Sequence, residues 1–195
     1  MALFYSPAEL AQMGFLSVGN AVRLSRKASV HGASRIALGD HVRIDDFCVL
    51  SAGAGGIAIG NHIHVAVFSS IIGAGRVQLD DFSNISSRVS IYSSSDDYSG
   101  EAMTNPTVPT EWTRVDSAPV HVGRHAIIGA GSVLLPGVHL GEGAAVGALS
   151  LVKSDCEAFG IYAGSPARRV GTRKKTLLDL ERQFLAQRAH ADAQP

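Results

Sequence analysis

Eight histidines give this chain its clearest means of moving protons near neutral pH, because the unperturbed imidazole pKa of about 6.5 lies there. They are His31, His41, His62, His64, His121, His125, His139 and His190. Two adjacent carboxylates, Asp96 and Asp97, stand in the polar stretch SSSDDYSG, where either can take a proton or hold a cation. From Arg168 to Lys175 there are five basic residues and no acid, a pattern that suits phosphate oxygens or a solvated linker. Cys48 and Cys156 lie 108 positions apart, which fits neither a disulfide framework nor a zinc motif. Both read as buried thiols of a reducing cytoplasm.

Such groups need a frame, and a six-residue beat supplies it. Leu38, Ile44 and Leu50 form one set of three, Ile59, Val65 and Ile71 the next, and Leu79, Ile85 and Ile91 the third. After a gap the beat returns at Val122, Ile128, Leu134, Leu140, Val146 and Val152, which makes fifteen positions with a large aliphatic residue at each. A period of six fits neither an amphipathic helix nor a two-residue strand alternation. It fits a prism-like solenoid in which each short strand gives one inward aliphatic residue and then turns a corner, three strands to a coil. A degenerate first coil is expected over 18–36, with bulges at 53–56 and around Gly75. Composition agrees: 195 residues, 21 Gly, 46% apolar and only 6% aromatic suit thin layers with many turns. Balanced charge, 17 basic against 17 acidic residues, gives no argument for nucleic acid. The apolar stretches fall short of the roughly 20 residues that span a bilayer, so no membrane insertion is expected.

The chain reads as a single domain. Residues 1–17 form an N-terminal helical segment, in which Ser6, Pro7 and Glu9 fit the Ncap, N1 and N3 positions. The solenoid runs over 18–170, interrupted by a loop at 93–120 that holds three prolines and the only Trp. A loop this long inside a regular array is usually functional and should project from a corner. Residues 171–195 carry Leu177, Leu180, Phe184, Leu185 and Arg188 at helical spacing, an amphipathic helix expected to cap the open end of the core. The hexad frame sorts the histidines. His41, His62 and His125 fall at the fourth position, expected to be solvated wall, while His64 and His139 fall at the sixth, next to a corner. Arg43, His64 and Asn84 form one column, expected beside the root of the loop.

The stretches VGRHAIIGAGSVLLPGVHLGEGAAVGALSLV and GIYAGSPARRV resemble the late coils and terminal signature of the hexapeptide-repeat acyltransferases, which are left-handed parallel β-helices. The likeness is greatest to the branch of galactoside and maltose O-acetyltransferases and O-antigen sugar acetyltransferases. RIDDFCVLS, SIYSSSDDYSG and TNPTVP are similar, more narrowly, to acetyltransferases of dTDP-4-amino-4,6-dideoxyglucose or related surface-polysaccharide sugars. The resemblance implies a cytoplasmic homotrimer with active sites between subunits, acetyl-CoA as donor, a sugar or nucleotide-sugar acceptor and no metal. It also implies that Ala130 and Ala148 contact the pantetheine arm, with a backbone N–H near Ala130 serving the thioester oxyanion. Arg168, Arg169, Arg173 and Lys174 are then candidates for the CoA phosphates.

The chain departs from that branch at three places. The loop histidine of the branch is replaced by Asp96, with Asp97 and Tyr98 matching the residues after it. His64 stands where an aromatic lines the acceptor site, and Ile127 stands where an aromatic flanks CoA. Two readings of the chemistry follow. In one, His64 is the general base and Asp96 or Asp97 of an adjacent subunit orients it. In the other, an Asp deprotonates or binds an ammonium substrate directly and His64 is an acceptor contact. Arg43, Asn84 and Tyr98 are the remaining candidate substrate contacts. Residues 40–116 hold ten acids and four basic residues, which favours a cationic amino sugar. A zinc enzyme of the γ-carbonic anhydrase type and a non-catalytic sugar-binding β-helix share the fold and stand as alternatives. Sequence does not choose between N- and O-acetylation, nor fix the acyl length.

Overall fold

The computed structural model describes residues 3–192, and side chains as far as residue 188, so His190 lies outside the described side chains. Three sheets form the faces of a prism, with six, eight and six strands, all parallel except the eighth strand of the second sheet, Arg168–Thr172. The first sheet stacks Ser17–Val18, Ile36–Leu38, Ile57–Ile59, Val77–Leu79, Val120–Val122 and His139–Leu140. The second stacks Arg23–Leu24, Arg43–Ile44, His64–Val65, Asn84–Ile85, Ile127–Ile128, Ala145–Val146 and Gly160–Ala163. The third stacks Ser29–His31, Val49–Ala52, Ser70–Gly73, Ser90–Tyr92, Val133–Leu134 and Leu151–Val152. The fold is a left-handed parallel β-helix.

All fifteen hexad aliphatics are buried, none more than 4% exposed. A strand of two or three residues can turn only one side chain inward before its corner, so the six-residue beat and the core are one fact. Val18, Leu24 and Val30 pair in register with Leu38, Ile44 and Leu50, so the expected degenerate coil is a full one. Coils stack too closely for side chains at some corners: a Cβ on Gly39 would stand 2.6 Å from the Gly60 carbonyl oxygen of the next coil. Both thiols are buried, as expected, and burial pushes the Cys156 pKa up to about 11.

The N-terminal end is closed by helix α1, Pro7–Gln12, whose Ser6 and Glu9 form a reciprocal capping box and whose Leu10 enters the core. The other end departs from expectation. Gly160–Ala163 folds back on Arg168–Thr172 as an antiparallel hairpin, the last layer of the second sheet, and this closes the core. Helix α2, Thr176–Asp192, instead runs back along the corner between the first and second sheets. There Glu181 meets Arg124 and His125, Phe184 packs edge-on against His62 and Phe82, and Arg188 reaches His41. An apolar helical stripe specifies that it must be covered but not which surface covers it.

That corner corrects the reading of three histidines. His41, His62 and His125 are not solvated wall: with Phe82 they take left-handed backbone at successive turns, φ 56 to 60°. Their rings stack along the prism edge under α2, with His41 and His62 centroids 4.7 Å apart and Phe82 and His125 5.1 Å apart. Burial, then the neighbouring His41 and Arg188 charges, push the His62 pKa below its ordinary value.

Residues 94–117 leave the prism as a β-hairpin, Ser94–Asp96 against Val115–Ser117. Its first strand continues from the third sheet and its second leads into the first, so it projects from the corner between those two.

Candidate active site

The column expected from the hexad frame is present: Arg43, His64, Asn84, Ile127 and Ala145 follow one another in register along the outer face of the second sheet. Its relation to the loop is not as expected. A three-sided prism places the corner between the third and first sheets opposite the second sheet, so the hairpin rises from the edge farthest from the His64 face. Within one chain no contact joins Asp96 or Asp97 to His64.

The carboxylate that orients His64 comes from the preceding coil. His64 Nε2 lies 2.7 Å from Asp45 Oδ2, and Arg43 Nε donates to Asp45 Oδ1 at 2.7 Å. Burial alone would raise the Asp45 carboxyl, but the hydrogen bonds from His64 and Arg43 and their charges outweigh it and hold the group below the usual carboxylate range. Arg43, read as a substrate contact, is thus held by Asp45. His64 keeps 41% of its side chain exposed, yet the ring nitrogen farther from the backbone is the one already engaged.

Asp97 is a corner-stone of the loop. Its nearly buried carboxylate accepts from Ser99 Oγ and N, Gly100 N, Ala102 N and the Arg114 guanidinium. The Ser99 hydroxyl leads in lowering its pKa to about 2, with the backbone donors and the Arg114 charge adding to it against a burial penalty. A pKa below the unfolded value of roughly 4 means the loop gains stability above that pH and loses it as pH falls toward 2. Asp97→Asn should therefore lower the hydrogen-exchange protection of the Ser99, Gly100 and Ala102 amides at pH 7. Unchanged protection would contradict this role. Asp96, next door, is exposed and accepts only a long contact from Asn105 N at 3.4 Å. Tyr98 is 94% exposed beside it.

On the far side of the second sheet, Ala130 and Ala148 stack in successive coils, joined by the Leu149 N–H to the Ala130 carbonyl at 2.9 Å. Both are exposed, and no described residue accepts their own N–H groups. Below them the column stays small: a Cβ on Gly129 would meet Ala148 N at 2.4 Å, and one on Gly147 would meet Ala163 at 3.2 Å. Backbone donors beside a side-chain-free track can approach an extended amide chain closely.

The hairpin splits the basic run. Arg168 pairs with Ala163 at the end of that track, its guanidinium donating only to the Ala167 carbonyl. Arg169 binds Glu157 at 3.0 Å. Arg173 turns to the opposite corner, where it donates to the His125 and Gly143 carbonyls and burial lowers its pKa. Its Nη1 is held by these two carbonyls at the corner beneath α2, away from Arg168 and the small-residue track. Lys174 is exposed near the same corner.

Ser86 was not singled out in the sequence. It follows Ile85, whose register partner Ile128 precedes Gly129, so it stands at the lower end of the small-residue track. Its hydroxyl donates to no described residue. The signal was available in its hexad position, directly after an inward aliphatic. Among the described residues no group of three or more His, Cys, Asp or Glu side chains is placed to hold a metal ion.

No family model matches the chain. AntD, an N-acyltransferase from Bacillus cereus solved with dTDP and 3-hydroxybutyryl-CoA, superposes with a TM-score of 0.92 at 42% identity, over 97% of this chain and 100% of that one. The acetyltransferase domain of PglB from Neisseria gonorrhoeae FA1090 reaches a TM-score of 0.57 at 18% identity, over 76% of this chain and 57% of that one, a likeness of fold alone. The fold and these likenesses define an acyltransferase of the hexapeptide-repeat β-helix class. A dTDP-4-amino-4,6-dideoxy-D-glucose acyltransferase from Escherichia coli is 57% identical over 176 residues, 90% of this chain and 92% of that protein. The chain belongs to this family of nucleotide-sugar acyltransferases.

Proposed function

We propose that the chain transfers the acetyl group of acetyl-CoA to the amine of a dTDP-linked 4-amino-4,6-dideoxyglucose. The site forms between copies of a cytoplasmic homotrimer, and the product serves surface-polysaccharide synthesis of the O-antigen type. The observation that carries the shared site is the opposition of the projecting hairpin and the second sheet. Asp96 rises from the edge between the third and first sheets, His64 and Asn84 lie on the face opposite, and Ser86 and the Ala130–Ala148 track lie at the corner between the second and third sheets, which supports a site completed by another copy.

Asp96 is the group that receives the amine. An alkylammonium must lose a proton before its lone pair can attack the thioester carbon, and an exposed, loosely held carboxylate can hold the cation and take that proton. Solved AntD structures include substitutions at a serine and at an aspartate ten positions further on. Ser86 and Asp96 stand ten positions apart here. Asp97 and Ser87 share that spacing, but Asp97 is enclosed by its own loop. His64, fixed by Asp45 through its outer nitrogen, is a wall of the acceptor site, with Asn84 and Tyr98 as further contacts. The nitrogen bonds to the acetyl carbon, the carbon–sulfur bond breaks, and the departing thiolate takes up a proton. The Ala130 N–H faces the oxyanion that develops. Arg168, Arg169 and Lys174 lie toward the CoA phosphates.

Mixing two inactive variants tests this reading. Asp96→Asn removes the loop carboxylate, and Ala148→Trp blocks the donor track. Refolded together, about a quarter of sites should pair an intact loop with an intact face and recover that share of activity. Mixed oligomers that stay inactive would contradict a shared site.

A further inference from the structure

The corner between the second and third sheets carries one side chain per coil on left-handed backbone: Phe47, Phe68, Arg88 and Leu149, with Gly131 between the last two. Phe47 and Phe68 stack at 5.0 Å, and Arg88 lies over Phe68 with its guanidinium carbon 5.8 Å from the ring centroid. Above Arg88 the Gly131 N–H bonds the Ser87 carbonyl at 3.0 Å, so Gly131 is its neighbour in the next coil. Lacking a side chain, Gly131 leaves a notch, roofed by the Leu149 side chain leaning over it. Arg88 forms the floor of this notch and Ala130 its rim.

The Arg88 guanidinium is exposed and meets no acid and no carbonyl among the described residues. Arg43, by contrast, is bound to Asp45, Arg114 to Asp97 and Glu101, and Arg124 to Glu181. An unspent guanidinium beside a backbone notch suits the planar, bidentate recognition of phosphate oxygens. Direction along the prism decides which phosphates. Arg168 pairs with Ala163 at the C-terminal end of the small-residue track. Arg88 sits at the other end, three coils from Ala163, or roughly 14 Å at the usual strand spacing. A donor that has its phosphates toward Arg168 and its thioester at Ala130 leaves Arg88 on the acceptor side, two residues from Ser86.

We infer that Arg88 binds the diphosphate of the nucleotide-sugar acceptor and so makes the site selective for nucleotide-linked over free amino sugars. This rests on the function proposed above. The test uses dTDP itself as the probe, by calorimetry, together with steady-state kinetics. Arg88→Met keeps an apolar stem over Phe68 and removes the charge, while Arg88→Lys keeps the charge without the fork. Affinity for dTDP and KM for the nucleotide sugar should worsen about 10- to 100-fold in the Met variant and less in the Lys variant. KM for acetyl-CoA, the thermal midpoint and the oligomer mass should not move. Undiminished dTDP affinity in Arg88→Met, with turnover retained, overturns the role of Arg88 and leaves the proposed function standing. A rise in KM for acetyl-CoA instead would reassign Arg88 to the donor. A wild type with no affinity for dTDP would sink both readings.

Discussion

Asp96→Asn is expected to lower turnover of the amino nucleotide sugar by about 100- to 10,000-fold, the usual cost of removing a positioned general base. The substitution keeps size and shape, and the Asn105 N–H can still donate to an amide oxygen, so the hairpin should keep its structure. What disappears is the charge that holds the ammonium and the basicity that takes its proton. His64→Ala provides the contrast. Because its outer nitrogen is engaged by Asp45, its loss should cost less than about tenfold, mostly in KM for the acceptor. Free-thiol release measured for both variants at saturating acetyl-CoA checks the pair. A collapse in His64→Ala with Asp96→Asn nearly unaffected would return the base to the His64–Asp45 pair.

Ile71→Ala should destabilise the protein by about 2–5 kcal/mol, the range for a fully buried aliphatic truncated to Ala. Ile71 sits mid-prism, fully buried and in register with Leu50 below and Ile91 above. Closing the cavity would require both neighbours to shift along the prism axis, against the hydrogen bonds that fix coil spacing. Each coil depends on its neighbours for a covered core, so the loss falls on two interfaces at once. Urea unfolding followed by circular dichroism measures it. A change below about 1 kcal/mol would mean that the interior of the prism is loosely packed.

The stack of Leu50, Ile71 and Ile91 also shows why so much of the fold was legible in the sequence. In a narrow prism only one residue type suits the inward site of each short strand, so position alone reveals the coil. Corners are different. His41, His62 and His125 share a hexad position with Phe82, and only the left-handed backbone and the path of α2 reveal that all four form one covered edge. Helix α2 advertised an apolar stripe, but the stacked rings that receive it come from four separate coils. The Asp45–His64 pair was hidden for a related reason. Column partners lie one full coil apart, as Arg43 and His64 do, whereas Asp45 reaches His64 diagonally from two residues past that register. The loop carboxylates were legible as candidates. Which of them organises the loop could not be read, because Asp96 and Asp97 differ only in the donors that surround them.

The most direct test of the central claim, amide formation on a nucleotide-linked amine, is a single competition. The wild-type protein is given acetyl-CoA with equal amounts of dTDP-4-amino-4,6-dideoxyglucose and its 4-hydroxyl counterpart, and the products are separated and weighed by mass spectrometry. The account predicts one acetyl group gained by the amino sugar alone, matched by stoichiometric thiol release. Acetylation of the hydroxyl sugar at a comparable rate, or thiol release with neither sugar modified, would contradict it.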